Sequence, residues 1–218
     1  DGPALRAIAR KLLSGARSAL DLPTDRPRPA VRRAMGASLP WQVPPDVVRP
    51  LRSLEGSSFF RTLLTAWAAL LFRYSGQDDI VIGVAASARS PEFDGTVGDF
   101  ITMLPVRVRL SREQPFSELC AAVTAAVREA SALRELPLTE IVAELKPPRD
   151  PSRTALYQTT FGLVKQRRVP SMSGVAIEGA PIVGALGGLS GRSHWVAQQE
   201  GQVDLSGWCV EIDGTLYG

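Results

Sequence analysis

The sequence predicts an α/β fold, and three observations carry that reading. Across residues 59–74 the side chains of Phe59, Leu63, Trp67, Leu70, Leu71 and Tyr74 fall at helical spacing, the apolar stripe of a core helix. Residues 80–84 follow as a largely β-branched run of strand length whose lack of polar alternation predicts burial on both faces. Residues 115–133 then read as an alanine-rich helix with proline at its start.

The other elements fall into place around these. Residues 3–13 form a short amphipathic helix with Leu5, Ile8, Leu12 and Leu13 on one side. Residues 14–29 hold three prolines in their last seven positions, which excludes helix and makes them an extended linker. A strand at residues 38–43 leads to a helix reaching Leu54, with proline tolerated in its first turn. Gly76 stops the core helix because it tolerates a left-handed turn, and Asp78 and Asp79 favour the loop that follows. After a polar loop at residues 86–98 the chain alternates as a strand, with Ile101, Met103, Val106 and Val108 among polar neighbours. A helix at residues 138–145 ends before Pro147 and Pro148, and residues 157–164 make a further strand. Residues 165–201 show no clear period. A late strand then runs to Glu211 or Ile212 and turns at Asp213-Gly214, a good hairpin dipeptide.

With 218 residues, 44% of them hydrophobic and 22% charged, the chain has the composition of a globular protein able to bury a sizeable core. No 18-residue apolar run or signal-peptide layout is present, so membrane insertion and secretion are not expected. Cys120 and Cys209 lack CxxC spacing and read as reduced, buried thiols of a cytoplasmic protein. The net charge of +3 divides unevenly: residues 1–33 carry +5 and the rest −2. That basic end, Arg32 and Arg33 included, could steer an acidic partner or stand as a solvated surface. Its basic residues are interleaved with prolines instead of aromatics, which disfavours nucleic acid.

Residue types alone name no reaction. His194 is the only histidine and has no pattern of partners for a zinc site or a triad, so it reads as structural or solvent-exposed. Ser87, Ser90 and Ser206 lack a nucleophile-elbow context. Gly184, Gly187 and Gly188 make no phosphate loop. Asp78 and Asp79, adjacent on a turn, point apart and serve capping and solvation better than metal or acid–base work.

Several motifs are nevertheless specific together. Arg73-Tyr74-Ser75-Gly76-Gln77-Asp78-Asp79-Ile80-Val81-Ile82-Gly83 resembles the helix-to-strand turn of nonribosomal peptide synthetase condensation domains. Ala88-Arg89-Ser90-Pro91-Glu92 resembles that family's Gly-Arg-x-x-x-Glu loop. Gly98-Asp99-Phe100-Ile101-Thr102-Met103-Leu104 resembles its Gly-x-Phe-Val-Asn-Thr-Leu segment, with Thr102 and Met103 in place of Asn and Thr. Leu22-Pro23-Thr24-Asp25-Arg26-Pro27-Arg28-Pro29 is similar to the linker between the two halves of such a domain. Residues 137–142, 149–158 and 198–205 resemble three later family segments, and Asp1-Gly2 resembles the end of its His-His-x-x-x-Asp-Gly motif.

The resemblance implies a chloramphenicol acetyltransferase-like fold, an α+β two-layer sandwich, seen mainly as its C-terminal half. Residues 1–29 would be the end of the N-terminal subdomain and the linker, and residues 30–218 the C-terminal subdomain. It implies that both histidines, the catalytic one included, precede Asp1, so that no residue here is catalytic. A helical segment of the family has no counterpart between Leu13 and Ser14, residues 54–56 are shortened, and family members continue beyond Gly218, so the sequence is expected to be pieces of a longer domain. Asp1, Gly2 and Arg89 would be the structural motif residues, Asp1 pairing with Arg89, with Ser90, Gly98, Phe100 and Thr102 in the tunnel and floor-loop region. The implied reaction joins a carrier-bound acyl or peptidyl thioester to a carrier-bound aminoacyl amine. No intrinsic cofactor is implied, since phosphopantetheine arms on upstream and downstream carrier proteins bring both substrates. Adjacent synthetase domains are the further expected partners. Neither a heterocyclising motif nor the Gly-Tyr-Gly of epimerising relatives occurs. The alternative is a catalytically silent condensation-like module that docks carrier proteins.

Overall fold

The chain builds five helices and eight strands among the residues described in the computed structural model, which are 2–54, 58–165, 183–186, 189–192, 201–212 and 214–218. The helices are α1 (Gly2–Leu13), α2 (Pro45–Arg52), α3 (Phe59–Ser75), α4 (Phe116–Ala130) and α5 (Leu138–Leu145). The strands are β1 (Gln42–Val43), β2 (Asp79–Ser87), β3 (Ile101–Arg109), β4 (Thr159–Lys165), β5 (Val183–Leu186), β6 (Leu189–Arg192), β7 (Leu205–Ile212) and β8 (Thr215–Tyr217). Six of them form one mixed sheet in the order β1-β8-β7-β4-β2-β3, parallel at β2–β4 and β4–β7 and antiparallel elsewhere. β5 and β6 pair as a separate antiparallel hairpin, inside the stretch for which the sequence offers no period.

α3 starts and stops where the sequence predicts. Ser58 caps it by accepting from the Arg61 N–H at 3.4 Å, and Gly76 closes it at φ 68°, donating to the Phe72 carbonyl at 2.8 Å. The buried face is rotated from the expected stripe. Thr62, Leu63, Leu64, Thr65, Ala68 and Leu71 are buried, whereas Leu70 and Tyr74 are exposed. Two threonines make that difference. Thr65 donates its hydroxyl to the Arg61 carbonyl at 2.7 Å, so a polar side chain enters the core with its hydrogen bond made inside its own helix.

Cross-strand partners share a face, so Ile80, Ile82, Val84, Thr159, Phe161, Gly207 and Cys209 line one side of the sheet. α3 lies on that side, with the Trp67 ring 5.7 Å from that of Phe161 and its N–H donating to Thr159 Oγ1 at 3.1 Å. α4 packs on α3 and β3. On the other side Tyr157 covers Gly83, where a Cβ would stand 2.6 Å from the ring, so this strand position is closed to any larger residue. Burial on both faces of β2 is therefore as the sequence predicts.

Other expectations are trimmed. Of the strand expected over residues 38–43, only Gln42 and Val43 pair, with β8. β3 departs from simple alternation, because Leu104, Pro105 and Val106 are all buried while Ile101 is 71% exposed. The hairpin after β7 forms as predicted, Ile212 pairing with Thr215.

Residues 14–29 carry no helix or strand, yet are fastened along their length. Leu20 is buried, its N–H donating to Gln158 Oε1 at 2.6 Å and its carbonyl accepting from Arg153 Nη1 at 2.8 Å. The Gln158 amide also donates to the Ser18 and Thr154 carbonyls, at 3.3 and 2.8 Å. Arg153 Nη2 reaches Asp21 at 2.6 Å, and Arg28 grips Asp204 with two bonds of 3.1 and 2.5 Å. That carboxylate holds Arg28 still more firmly protonated than usual.

The basic end is thus largely occupied by the chain's own acceptors. Arg6, Arg10, Arg17 and Arg28 pair with Glu140, Glu144, Asp78 and Asp204. Arg32 donates to the carbonyls of Gly201, at 3.0 Å, and Gln202.

Both cysteines are buried and unpaired. Burial pushes the Cys209 thiol up to about 12 from 9.0. The native protein should therefore leave Cys209 unmodified by a maleimide at pH 8, and denaturant should release it. The sign follows for stability as well: the raised thiol contributes fully below pH 9 and its contribution is lost as pH rises toward 12. Rapid labelling of Cys209 in the folded protein would contradict this burial.

Candidate functional site

The loop between β2 and β3 gathers most of the predicted site residues, and Arg89 organises it. The Arg89 guanidinium donates to the Phe93 carbonyl at 2.5 Å and the Thr96 carbonyl at 2.8 Å. It also lies over the Phe100 ring, 3.9 Å from the centroid, with the Phe93 ring 5.7 Å beyond. The loop can fold back in this way because a 3-10 turn at Pro91–Phe93 reverses it and Gly95 takes φ 83°. Its base is closed by Ala88 N–H to the Phe100 carbonyl at 2.7 Å, and Asp99 accepts from the Ile101 N–H at 2.9 Å.

Ser90 and Gly98 serve the same knot. The Ser90 hydroxyl, helped by the Glu92 backbone N–H, holds the exposed Glu92 carboxyl below the usual carboxylate range. A Cβ at Gly98 would stand 3.2 Å from the Phe100 ring, the ring on which Arg89 stacks. The outer side of the loop is open: Val97 is fully exposed, and Phe93 and Ile101 are exposed beside it. Thr102 lies on β3 opposite Ala86, half-buried.

Comparison with known proteins decides what this arrangement belongs to. Residues 10–176 match the condensation-domain family. The chain belongs to the condensation-domain family of nonribosomal peptide synthetases. Malpinin synthetase of Mortierella alpina is 39% identical over 155 residues, which are 70% of this chain and 2% of that protein. A four-domain nonribosomal peptide synthetase bound to AMP and glycine superposes with a TM-score of 0.87 at 23% identity, covering 98% of this chain and 17% of that one. The X-domain from teicoplanin biosynthesis gives a TM-score of 0.80 at 24% identity, covering 99% of this chain and 48% of that domain. The chain therefore spans part of a condensation domain and a small fraction of the synthetases it matches, and its family is one of acyltransferases.

Within the condensation fold, the described site residues fall in three places, Thr102 standing on β3. Arg89, Ser90, Gly98 and Phe100 come together in the β2–β3 loop. Gly2 opens α1. Asp1 and His194 lie outside the described residues, and with Asp1 the predicted Asp1–Arg89 pair. Among the described residues Arg89 meets carbonyls and a ring face, with no carboxylate in salt-bridge range. No group of His, Cys, Asp and Glu among the described residues is placed to hold a metal ion, and no described helix is long and apolar enough to cross a membrane.

Sequence reasoning missed Arg107, Arg153 and Gln158. Arg107 holds Asp79 with bonds of 2.7 and 2.5 Å and donates to the Leu12 and Ser14 carbonyls at 3.3 and 2.9 Å, so it fixes the end of α1 against the sheet. An arginine set between Val106 and Val108 on a strand was the available signal.

Arg89→Lys should cost about 1–2 kcal/mol, because an ammonium has no planar face to lay on Phe100 while it reaches the two carbonyls that Arg89 Nη1 serves. The midpoint of urea unfolding reads the effect. A midpoint equal to the parent's would show that the loop does not depend on the guanidinium.

Proposed function

We propose that this chain forms part of an amide-forming condensation site, acting between two substrates tethered to carrier proteins. The amine of a downstream aminoacyl group attacks the carbonyl carbon of an upstream acyl or peptidyl thioester. A C–N bond forms, the C–S bond breaks, and the thiol of the upstream phosphopantetheine arm leaves with the proton that the amine gives up. The observation that carries this reading is the family match across residues 10–176, which takes in the Arg89 loop. The chain's part is to shape and hold the site: the Arg89–Phe100 knot keeps a loop of the tunnel in one conformation, and at the other end of the β2–β3 pair Arg107 ties the end of α1 to the sheet. Both substrates arrive on carrier-borne arms, the domain needs no cofactor of its own, and the setting is cytoplasmic.

The test supplies the intact condensation domain containing this chain with a donor-loaded and an acceptor-loaded carrier protein, and looks for the extended peptidyl carrier by mass spectrometry. Amide product that depends on both loaded carriers supports the reading. Carrier binding without product would instead make the domain a silent docking module.

A further inference from the structure

α1 and α5 carry matched charges at matched spacing. Arg6 and Arg10 stand one turn apart on α1, and Glu140 and Glu144 one turn apart on α5. Arg6 Nη1 donates to Glu140 Oε2 at 2.9 Å. Arg10 Nε donates to Glu144 Oε1 at 2.9 Å, and Nη2 reaches the same oxygen. The rungs run in the same order along both helices, so the pair is a two-rung ladder. Beneath it the contact is apolar, with Ala9, Leu13 and Ile141 buried in one core. The far end of α1 is held separately, by Arg107 on the Leu12 and Ser14 carbonyls.

The two kinds of contact do different work. Burial of Ala9, Leu13 and Ile141 supplies adhesion, and the hydrophobic effect behind it is non-directional. Exposed ion pairs contribute only about 0.2–1 kcal/mol each, too little to hold a helix in place but enough to choose among alternatives. Moving α1 by one turn would leave one arginine and one glutamate without partners, and a reversed helix would misalign both rungs. The ladder is a device for alignment, not for strength.

We infer that the Arg6–Glu140 and Arg10–Glu144 pairs set the register of α1 on α5, and through it the placement of Gly2, the residue that opens α1. Glu140 and Glu144 are then positioning residues for amide formation, acting at a distance through a helix. This rests on the condensation reading proposed above and on the resemblance of Asp1-Gly2, whose glycine opens α1, to the end of the family's His-His-x-x-x-Asp-Gly motif.

The experiment uses the intact condensation domain with loaded carriers, and reads two quantities: the rate of amide formation and the hydrogen exchange of the α1 amides. Glu140→Arg with Glu144→Arg sets arginine against arginine. The rate constant is expected to fall about fivefold to tenfold with KM for the carriers little changed, and α1 exchange to quicken by a similar factor. Adding Arg6→Glu and Arg10→Glu to that protein recreates both rungs with the signs exchanged, and should restore both readings. Parent-like rate and exchange in the reversed protein, or no restoration by the exchanged pairs, overturns the inference. Should the reversed protein fail to fold, Glu140→Gln with Glu144→Gln removes charge without repulsion. It should abolish the quickening of α1 exchange that added salt causes in the parent, and a retained salt response overturns the inference equally. A parent that forms no amide defeats the condensation reading alone, and the exchange readings then decide the register.

Discussion

Replacing Arg107 by methionine is expected to destabilise the protein by about 3–5 kcal/mol. The side chains of Arg107 and Asp79 are 10% and 18% exposed, and they meet through two parallel bonds on neighbouring strands. Removing the guanidinium leaves the Asp79 carboxylate and the Leu12 and Ser14 carbonyls without their donor. The cost is therefore that of an orphaned charge, which exceeds the worth of the pair itself. Two controls separate these. Asp79→Leu in the same protein should recover most of the loss, because an apolar pair needs no partner. Raising the salt should change the parent little, since a buried pair is weakly screened. Urea unfolding measures all three proteins. A single variant within about 1 kcal/mol of the parent would show that water already serves the carboxylate.

Trp67→Ala is the second large effect, again about 3–5 kcal/mol. The indole fills the space between α3 and the sheet, against Phe161 and within 3.0 Å of where a Cβ on Gly207 would stand. Gly207 can be only glycine because that ring is there, so truncation opens a cavity that the backbone of β7 cannot close. Thr159, fully buried, also loses the donor to its hydroxyl. Trp67→Phe keeps most of the ring and loses the hydrogen bond, and should cost nearer 1 kcal/mol. Thermal melts that place both variants together would mean that packing contributes little at this position.

The legible part of the fold is the part written in nearest neighbours. α3, β2 and α5 are announced by period and by Gly76, Pro137 and Pro147, all within one element's length. The rotation of the α3 face was not legible, because Thr62 and Thr65 read as polar and their burial depends on α4 packing across them. At the site, the resemblance brought Arg89 and Phe100 forward, but not that they touch. A cation over a ring requires the reversal at residues 91–95, which leaves no trace in spacing. The bonds from Arg153 and Gln158 to residues 18–21 cross more than a hundred positions and pair common residue types, so nothing local announces them. The α1–α5 ladder could have been found: two arginines and two glutamates, each pair one turn apart, is a complementary signature on two amphipathic helices.

The binding of residues 18–28 bears on where such a chain can be divided and rejoined to another. A proline-rich coil looks like the natural seam, and a fragment begun at Ala30 would keep every residue of the sheet. It would also leave Gln158, 2% exposed, with one bond instead of three, Arg153 without Asp21, and Asp204 without Arg28. The coil behaves as the outermost layer of the sheet it borders. In a chimaera it has to be inherited with residues 153–158 and 204, from one parent, or those positions must be exchanged with it.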